Sequence, residues 1–205
     1  MLDFEFVWNN WLFIAGGVGE TLGITILSFA CALPVAALIA KGRRSSHPLV
    51  KSLSAAYILL IDGIPLYLLI FLVFLVLPQI GIFLPILASA TLILTIYYSS
   101  RLSVILDGQF LFPEANKGRF WVSIIPQLTN EFNGIIKDTT IISMAGFVHD
   151  VMWRAKDIGR DEFRILEAYL VAIFVYLILI TGISLGAKAL TRQLAKPEQE
   201  LTSTA

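Results

Sequence analysis

The chain has 205 residues, of which 57% are hydrophobic and 15% charged, and its mean hydropathy is +0.81; an ordinary soluble domain is about 45–50% apolar and 25% charged. This is the composition of a membrane protein. Fifteen basic residues balance fifteen acidic ones, so no net positive field favours nucleic acid as a partner. Cys31 is the single cysteine, which excludes an internal disulfide or a thiolate metal site, and His47 and His149 fall in separate expected loops, which argues against a metal centre.

Residues 1–17 carry acids and aromatic side chains, and no lysine or arginine precedes Lys41, the wrong charge for the start of a cleavable signal peptide. This segment is expected to remain attached and to lie at the interface, where indole and phenyl rings favour the headgroup level. Gly16, Gly17, Gly19 and Gly23 follow without the lysine or the preceding strand that a phosphate loop requires, so they read as helix-packing positions. Thr21 to Ala40 is nearly all apolar, about the twenty residues needed to cross roughly 30 Å of hydrocarbon. Ser28, Ala32, Ala36 and Ala40 repeat every fourth residue and offer a face on which another helix can lie close, and Pro34 is a candidate kink.

Lys41, Arg43, Arg44 and Lys51 then form a positive connection, which the positive-inside rule assigns to the cytoplasm, leaving the N-terminus outside. Ser52 to Leu77 would span roughly 39 Å as one helix, too long for the bilayer core, and Asp62-Gly63-Ile64-Pro65 is where it should break. Pro48 to Asp62 is expected to be an elbow along the inner face, with a crossing from Ile64 to Leu77. Pro78 to Pro85 is a short outer turn. Ile86 to about Ser100 returns inward, Tyr97, Tyr98 and Arg101 marking the water boundary, and Arg101 to Trp121 is a cytoplasmic connection. Trp121 to about Phe147 crosses outward, with Pro126 and Gly134 as weak points, and residues 149–164 read as a polar outer loop. Ile165 to Leu190 is the last crossing, with Gly182 and Gly186 in GxxxG spacing and Lys188, Arg192 and Lys196 inside. The outer basic residues Arg154, Lys156, Arg160 and Arg164 are offset by Asp150, Asp157, Asp161 and Glu162. The expected fold is all-α and polytopic, with about five transmembrane helices in one domain: an interfacial segment 1–17, a core 18–190 and a cytoplasmic tail 191–205.

Asn130 to Gly146 is the stretch richest in chemistry. On a helix Asn130, Asn133, Lys137, Thr140 and Met144 share a stripe, flanked by Glu131 and Asp138, while Phe132, Ile135, Ile136 and Ile142 occupy the opposite side. A charge at mid-bilayer costs about 2.5–3.5 kcal/mol on insertion scales, so the stripe should face protein or water. Two roles are open: the stripe lines a solute path, or Glu131, Lys137, Asp138 and Thr139 form an ionic motif that holds this helix against its neighbours. An intramembrane enzyme would need a clustered nucleophile, base or metal site, whereas the spans hold lone Ser and Thr residues and no His.

Four features resemble the membrane-spanning permease subunit of polar amino acid ABC importers. They are Gly19-Glu20-Thr21-Leu22 opening the first crossing, Asp62-Gly63-Ile64-Pro65-Leu66, the run from Pro126-Gln127-Leu128 to Lys137-Asp138-Thr139-Thr140, and the final crossing with its basic tail. The resemblance implies a type I importer permease in the bacterial cytoplasmic membrane. Such a subunit pairs with a second permease subunit, identical or different, receives a polar amino acid from an external solute-binding protein, and is driven by cytoplasmic ATPase subunits. ATP is then used by those partners, and this chain is not itself an enzyme and binds no cofactor of its own. The sequence departs from the family in two places: Asp62 stands where the family carries arginine, and the connection after Arg101 is short, with Pro113, Glu114, Ala115 and Gly118 as the candidates for ATPase coupling. A permease-like scaffold that supports a partner without its own coupling is the alternative reading.

Overall fold

The computed structural model describes residues 4–111 and 120–203. It contains α1 (Phe4–Ala15), α2 (Val18–Arg43), α3 (Pro48–Gly63), α4 (Leu66–Phe71), a π-helical stretch Leu72–Val76, α5 (Leu77–Gln79), α6 (Ile86–Leu111), α7 (Phe120–Met144), α8 (Val151–Asp161) and α9 (Ile165–Ser203), with no strand among the described residues. Three helical runs, Glu5–Arg43, Ile86–Gln109 and Ile165–Ala195, are long and apolar enough to cross a membrane, and the bent pair Pro48–Gly63 and Leu66–Gln79 is a fourth candidate. At 25 residues, α7 also has the length, and Glu131, Lys137 and Asp138 are what set it apart from the apolar runs.

The α3–α4 break falls where the sequence expects it. Pro65 has no amide hydrogen to donate, and Ile64 before it is extended (φ −96°, ψ 120°), so the axis turns by 99°. Asp62, at the end of α3, accepts a hydrogen bond from the Ser100 hydroxyl at 2.7 Å and ties the elbow to α6. Ser28, Ala32, Ala36 and Ala40 are all fully buried, and α6 is the most extensive partner of α2 because these small side chains let the two backbones approach. Pro34 lies inside α2 without dividing it. Arg43 and Arg44 close this pair by binding Asp107 at 2.9 and 2.7 Å.

Three expectations change. Arg101 does not begin a loop: α6 runs on to Leu111, since Leu102 and Ser103 are fully buried and no proline interrupts the helix. The outer segment 149–164 is not irregular but contains α8, whose N-terminus is capped by Asp150 and whose Val151, Ala155 and Gly159 bury one face at four-residue spacing. The last helix extends well past Leu190, to Ser203. The expected coupling residues Pro113, Glu114, Ala115 and Gly118 lie outside the described residues.

Two apolar clusters result. One gathers Ile24, Ala32, Ile70, Val73, Leu94 and Ile135 from α2, α4, α6 and α7 with the π-helical stretch. The second joins Phe6, Ile14, Val151, Ala155, Ala168 and Val171 from α1, α8 and α9. The turn at Gly16-Gly17 between α1 and α2 rests on the start of α8 so closely that a Cβ on Gly17 would strike the backbone of Asp150 and Val151. Much of α9 stays uncovered, with Phe174, Leu177, Ile178 and Leu185 all more than half exposed. Such a surface suits lipid or a neighbouring membrane helix.

Candidate functional site

Helix α7 presents three different polar faces, and each has a separate environment. Toward α6, Glu131 is buried and binds Arg101 through both carboxylate oxygens, Nε at 2.6 Å and Nη2 at 3.2 Å. This fork-to-fork geometry is the strongest form of the pair, because two parallel charge-assisted bonds fix orientation as well as distance. Two turns further on, Asp138 accepts the Tyr98 hydroxyl at 2.8 Å, and the Arg101 guanidinium sits 6.0 Å from the Tyr98 ring centre. Gly134 lies between these anchors, and a Cβ there would come within 2.7 Å of the Tyr98 oxygen. Glycine is what allows Tyr98 to reach across to Asp138.

Toward α8 and α9, the hub is Asp150, which is fully buried. Its Oδ1 accepts the backbone amides of Met152 at 2.8 Å and Trp153 at 3.1 Å. Its Oδ2 accepts the hydroxyls of Tyr176 at 3.0 Å and Thr139 at 3.2 Å. One carboxylate therefore caps α8 and binds α7 and α9 together. Closer to the start of α7, Asn133 donates to the Ser184 hydroxyl at 2.9 Å, while its own Oδ1 is buried with no hydrogen-bond partner. Asn130 and Asn133 border a groove of about 370 Å³ between α7 and α9, whose opposite wall includes Lys188 and Arg192.

The third face is uncovered. Asn130, Lys137 and Met144 are exposed, together with Gln127 and Ile141. Lys137 makes no hydrogen bond or ion pair with a described side chain, and Thr140, half buried, turns its hydroxyl onto the Lys137 carbonyl at 2.6 Å. The stripe seen in the sequence is thus divided: Asn133 turns to α9, Glu131 and Asp138 to α6, Thr139 to Asp150, and Asn130, Lys137 and Met144 outward. On the apolar side Ile135, Ile136 and Ile142 are fully buried, and Phe132 meets Phe29 of α2 edge-on at 5.3 Å. Sequence reasoning missed the tie from Arg101 to Glu131, because Arg101 beside two tyrosines reads as a boundary residue. It also missed Asp150, although an aspartate directly before an apolar run is a helix-cap signal.

No protein-family model matches the chain. It is 29% identical over 208 residues to the L-cystine transport system permease protein TcyB of Bacillus subtilis (strain 168), covering 90% of this chain and 87% of that protein. It is 23% identical over 220 residues to the probable glutamine ABC transporter permease protein GlnM of the same organism, with 95% of this chain and 99% of the relative covered. Among solved structures it superposes on a crystal structure of an amino acid ABC transporter with histidines at a TM-score of 0.83 and 22% identity, covering 94% of this chain and 99% of that one. The superposition shows that the chain shares the all-α fold of that transporter chain. In sequence and in fold the chain is similar to the permease subunits of amino acid ABC transporters.

Proposed function

We propose that this chain forms half of the translocation path of an importer for a polar amino acid, and that the exposed polar face of α7 lies at the seam with a second permease subunit. The observation that carries this reading is Lys137. It is exposed about two turns before the end of a 25-residue helix and has no partner among the described residues. A charge facing hydrocarbon costs up to about 2.5–3.5 kcal/mol, the value at mid-bilayer. Water in a shared path, or a facing subunit, removes that cost. Amide and ammonium groups on this face can replace the water around an amino acid's charged ends, Lys137 attracting the carboxylate. Glu131, Asp138 and Thr139 act differently, by holding α7 against α6 and α8.

In this arrangement α7 is the fifth crossing beside α2, the α4–α5 limb, α6 and α9. The N-terminus is outside and the basic end of α9 inside, in a bacterial cytoplasmic membrane. The solute arrives from an external binding protein. ATP is hydrolysed by cytoplasmic subunits that residues Pro113, Glu114, Ala115 and Gly118 contact. Names of the relatives, cystine for one and glutamine for another, point to small polar amino acids as the solutes to try first.

The test is uptake into proteoliposomes holding the co-expressed complex, with labelled cystine and glutamine, binding protein outside and ATP within. Binding-protein-dependent uptake is expected, and Lys137→Met should lower it at least several-fold while the subunits still co-purify. Undiminished uptake in the variant would remove α7's exposed face from the path, and a complete lack of uptake by the wild type would favour an uncoupled scaffold.

A further inference from the structure

The groove between α7 and α9 has a chemistry that amino acid transport does not account for. Its walls include Lys188 and Arg192, one helical turn apart and both exposed, with Asn130, Thr191 and the buried Asn133 between them and the α7 backbone. Neither cation forms an ion pair with a described residue. Asn133 is 7% exposed, yet its Oδ1 lacks a donor. A ligand that fits must bring a negative group to the two cations.

Depth decides which ligand. At 1.5 Å per residue, Lys188 and Arg192 lie roughly 35 and 40 Å along α9 from Ile165, beyond the about 30 Å of a hydrocarbon core. The groove therefore opens at headgroup level on the basic side, not at mid-membrane. Its surroundings are amphiphilic in the same sense: on the membrane side of the cations, Phe174, Leu177, Ile178 and Leu185 are exposed on the same helix. Basic pockets between membrane helices on the cytoplasmic side are suited to anionic headgroups.

We infer that this groove binds an anionic phospholipid headgroup of the phosphatidylglycerol kind, its phosphate held by Lys188 and Arg192 and its glycerol hydroxyls lying in the groove between α7 and α9. The volume of about 370 Å³ accommodates a glycerophosphate unit. The acyl chains then run from Leu185 along Ile178, Leu177 and Phe174, toward the membrane interior. The site requires only that the chain sit in a bilayer, so it stands or falls separately from the solute path.

The experiment is native mass spectrometry of the detergent-purified full-length complex titrated with dioctanoyl phosphatidylglycerol, dioctanoyl phosphatidylcholine or glycerol 3-phosphate. Phosphatidylglycerol adducts should exceed phosphatidylcholine adducts by tenfold or more. Lys188→Gln/Arg192→Gln should abolish that preference, and the Lys188→Arg/Arg192→Lys exchange should keep it. Because charge loss at a helix end can disturb insertion, Ala187→Phe, which fills the groove and keeps both cations, offers a second arm, expected to weaken the phosphatidylglycerol adduct several-fold. Equal retention of the two lipids, an unaltered preference in the glutamine variant that still assembles, or displacement of the lipid by equimolar glycerol 3-phosphate would each overturn the assignment.

Discussion

Asp150→Ala is the perturbation whose cost the structure specifies best. The substitution removes the acceptor that caps α8 at Met152 and Trp153, a loss of about 1 kcal/mol for an ordinary cap. It also takes from the part-buried Tyr176 hydroxyl the carboxylate it holds at 3.0 Å, leaving the Thr21 and Thr139 hydroxyls as weaker neighbours, which costs about 1–3 kcal/mol. Thr139 adds less, because its hydroxyl also reaches the Ile136 carbonyl at 2.9 Å and can turn fully onto it. The total is about 3 kcal/mol, or a fall in Tm of roughly 6–12 °C for a chain of this size. Thermal unfolding of the detergent-solubilised protein, followed by fluorescence-detected size exclusion, gives the reading. Asp150→Asn keeps the cap acceptor and should fall between wild type and alanine. Tyr176→Phe in the Asp150→Ala background removes the stranded hydroxyl, so the double variant should lie above the sum of the singles by about 1–2 kcal/mol. A Tm within about 2 °C of wild type for Asp150→Ala, or strict additivity with Tyr176→Phe, would refute the role of Asp150 as the hub of α7, α8 and α9.

Arg101→Met should destabilise more than the double variant Arg101→Met/Glu131→Leu, since the single change leaves the buried Glu131 carboxylate unpaired; fully buried pairs lose about 3–5 kcal/mol this way, and Arg101, with 46% of its side chain exposed, should give the lower part of that range or less. The same Tm assay on both variants checks the order. Gly134→Ala places a methyl group 2.7 Å from the Tyr98 oxygen and should cost about 1–3 kcal/mol, with Tyr98→Phe restoring most of it in the double variant. Gly17→Ala meets backbone rather than a movable side chain at Asp150 and Val151, so loss of monodisperse protein on size exclusion is expected, with no rescue from side-chain changes at Val151.

Much of the helical layout was legible in the chain because the bilayer simplifies the problem. Backbone groups have no water to bind, so apolar runs of sufficient length become helices, and the run too long for the bilayer bends at Asp62-Gly63-Ile64-Pro65, whereas Pro34 and Pro126 leave α2 and α7 continuous. The four-residue repeat of Ser28, Ala32, Ala36 and Ala40 likewise announced a close helix contact. What stayed hidden was the identity of the partners. Arg101 and Glu131 are thirty positions apart on different helices, and no local pattern joins them. Residues 149–164 looked like a loop because their charges are many and balanced, and the buried side of α8 is made of small or isolated side chains that composition underrates.

Sequence by itself determined that the chain belongs in a membrane, that α7 carries more ionic and amide groups than a lipid-facing helix tolerates, and that the run from Ser52 to Leu77 is too long to cross straight, with Asp62-Gly63-Ile64-Pro65 as the place for the bend. Those results follow from transfer costs and backbone geometry, which depend on residue type and spacing alone. Tertiary structure decided how the polar stripe of α7 is shared out: Glu131 and Asp138 to α6, Asn133 to α9, Thr139 to Asp150, and Lys137 to none of them. Helical spacing groups those side chains within a broad arc, and the positions of α6, α8 and α9 around that arc assign each one its role.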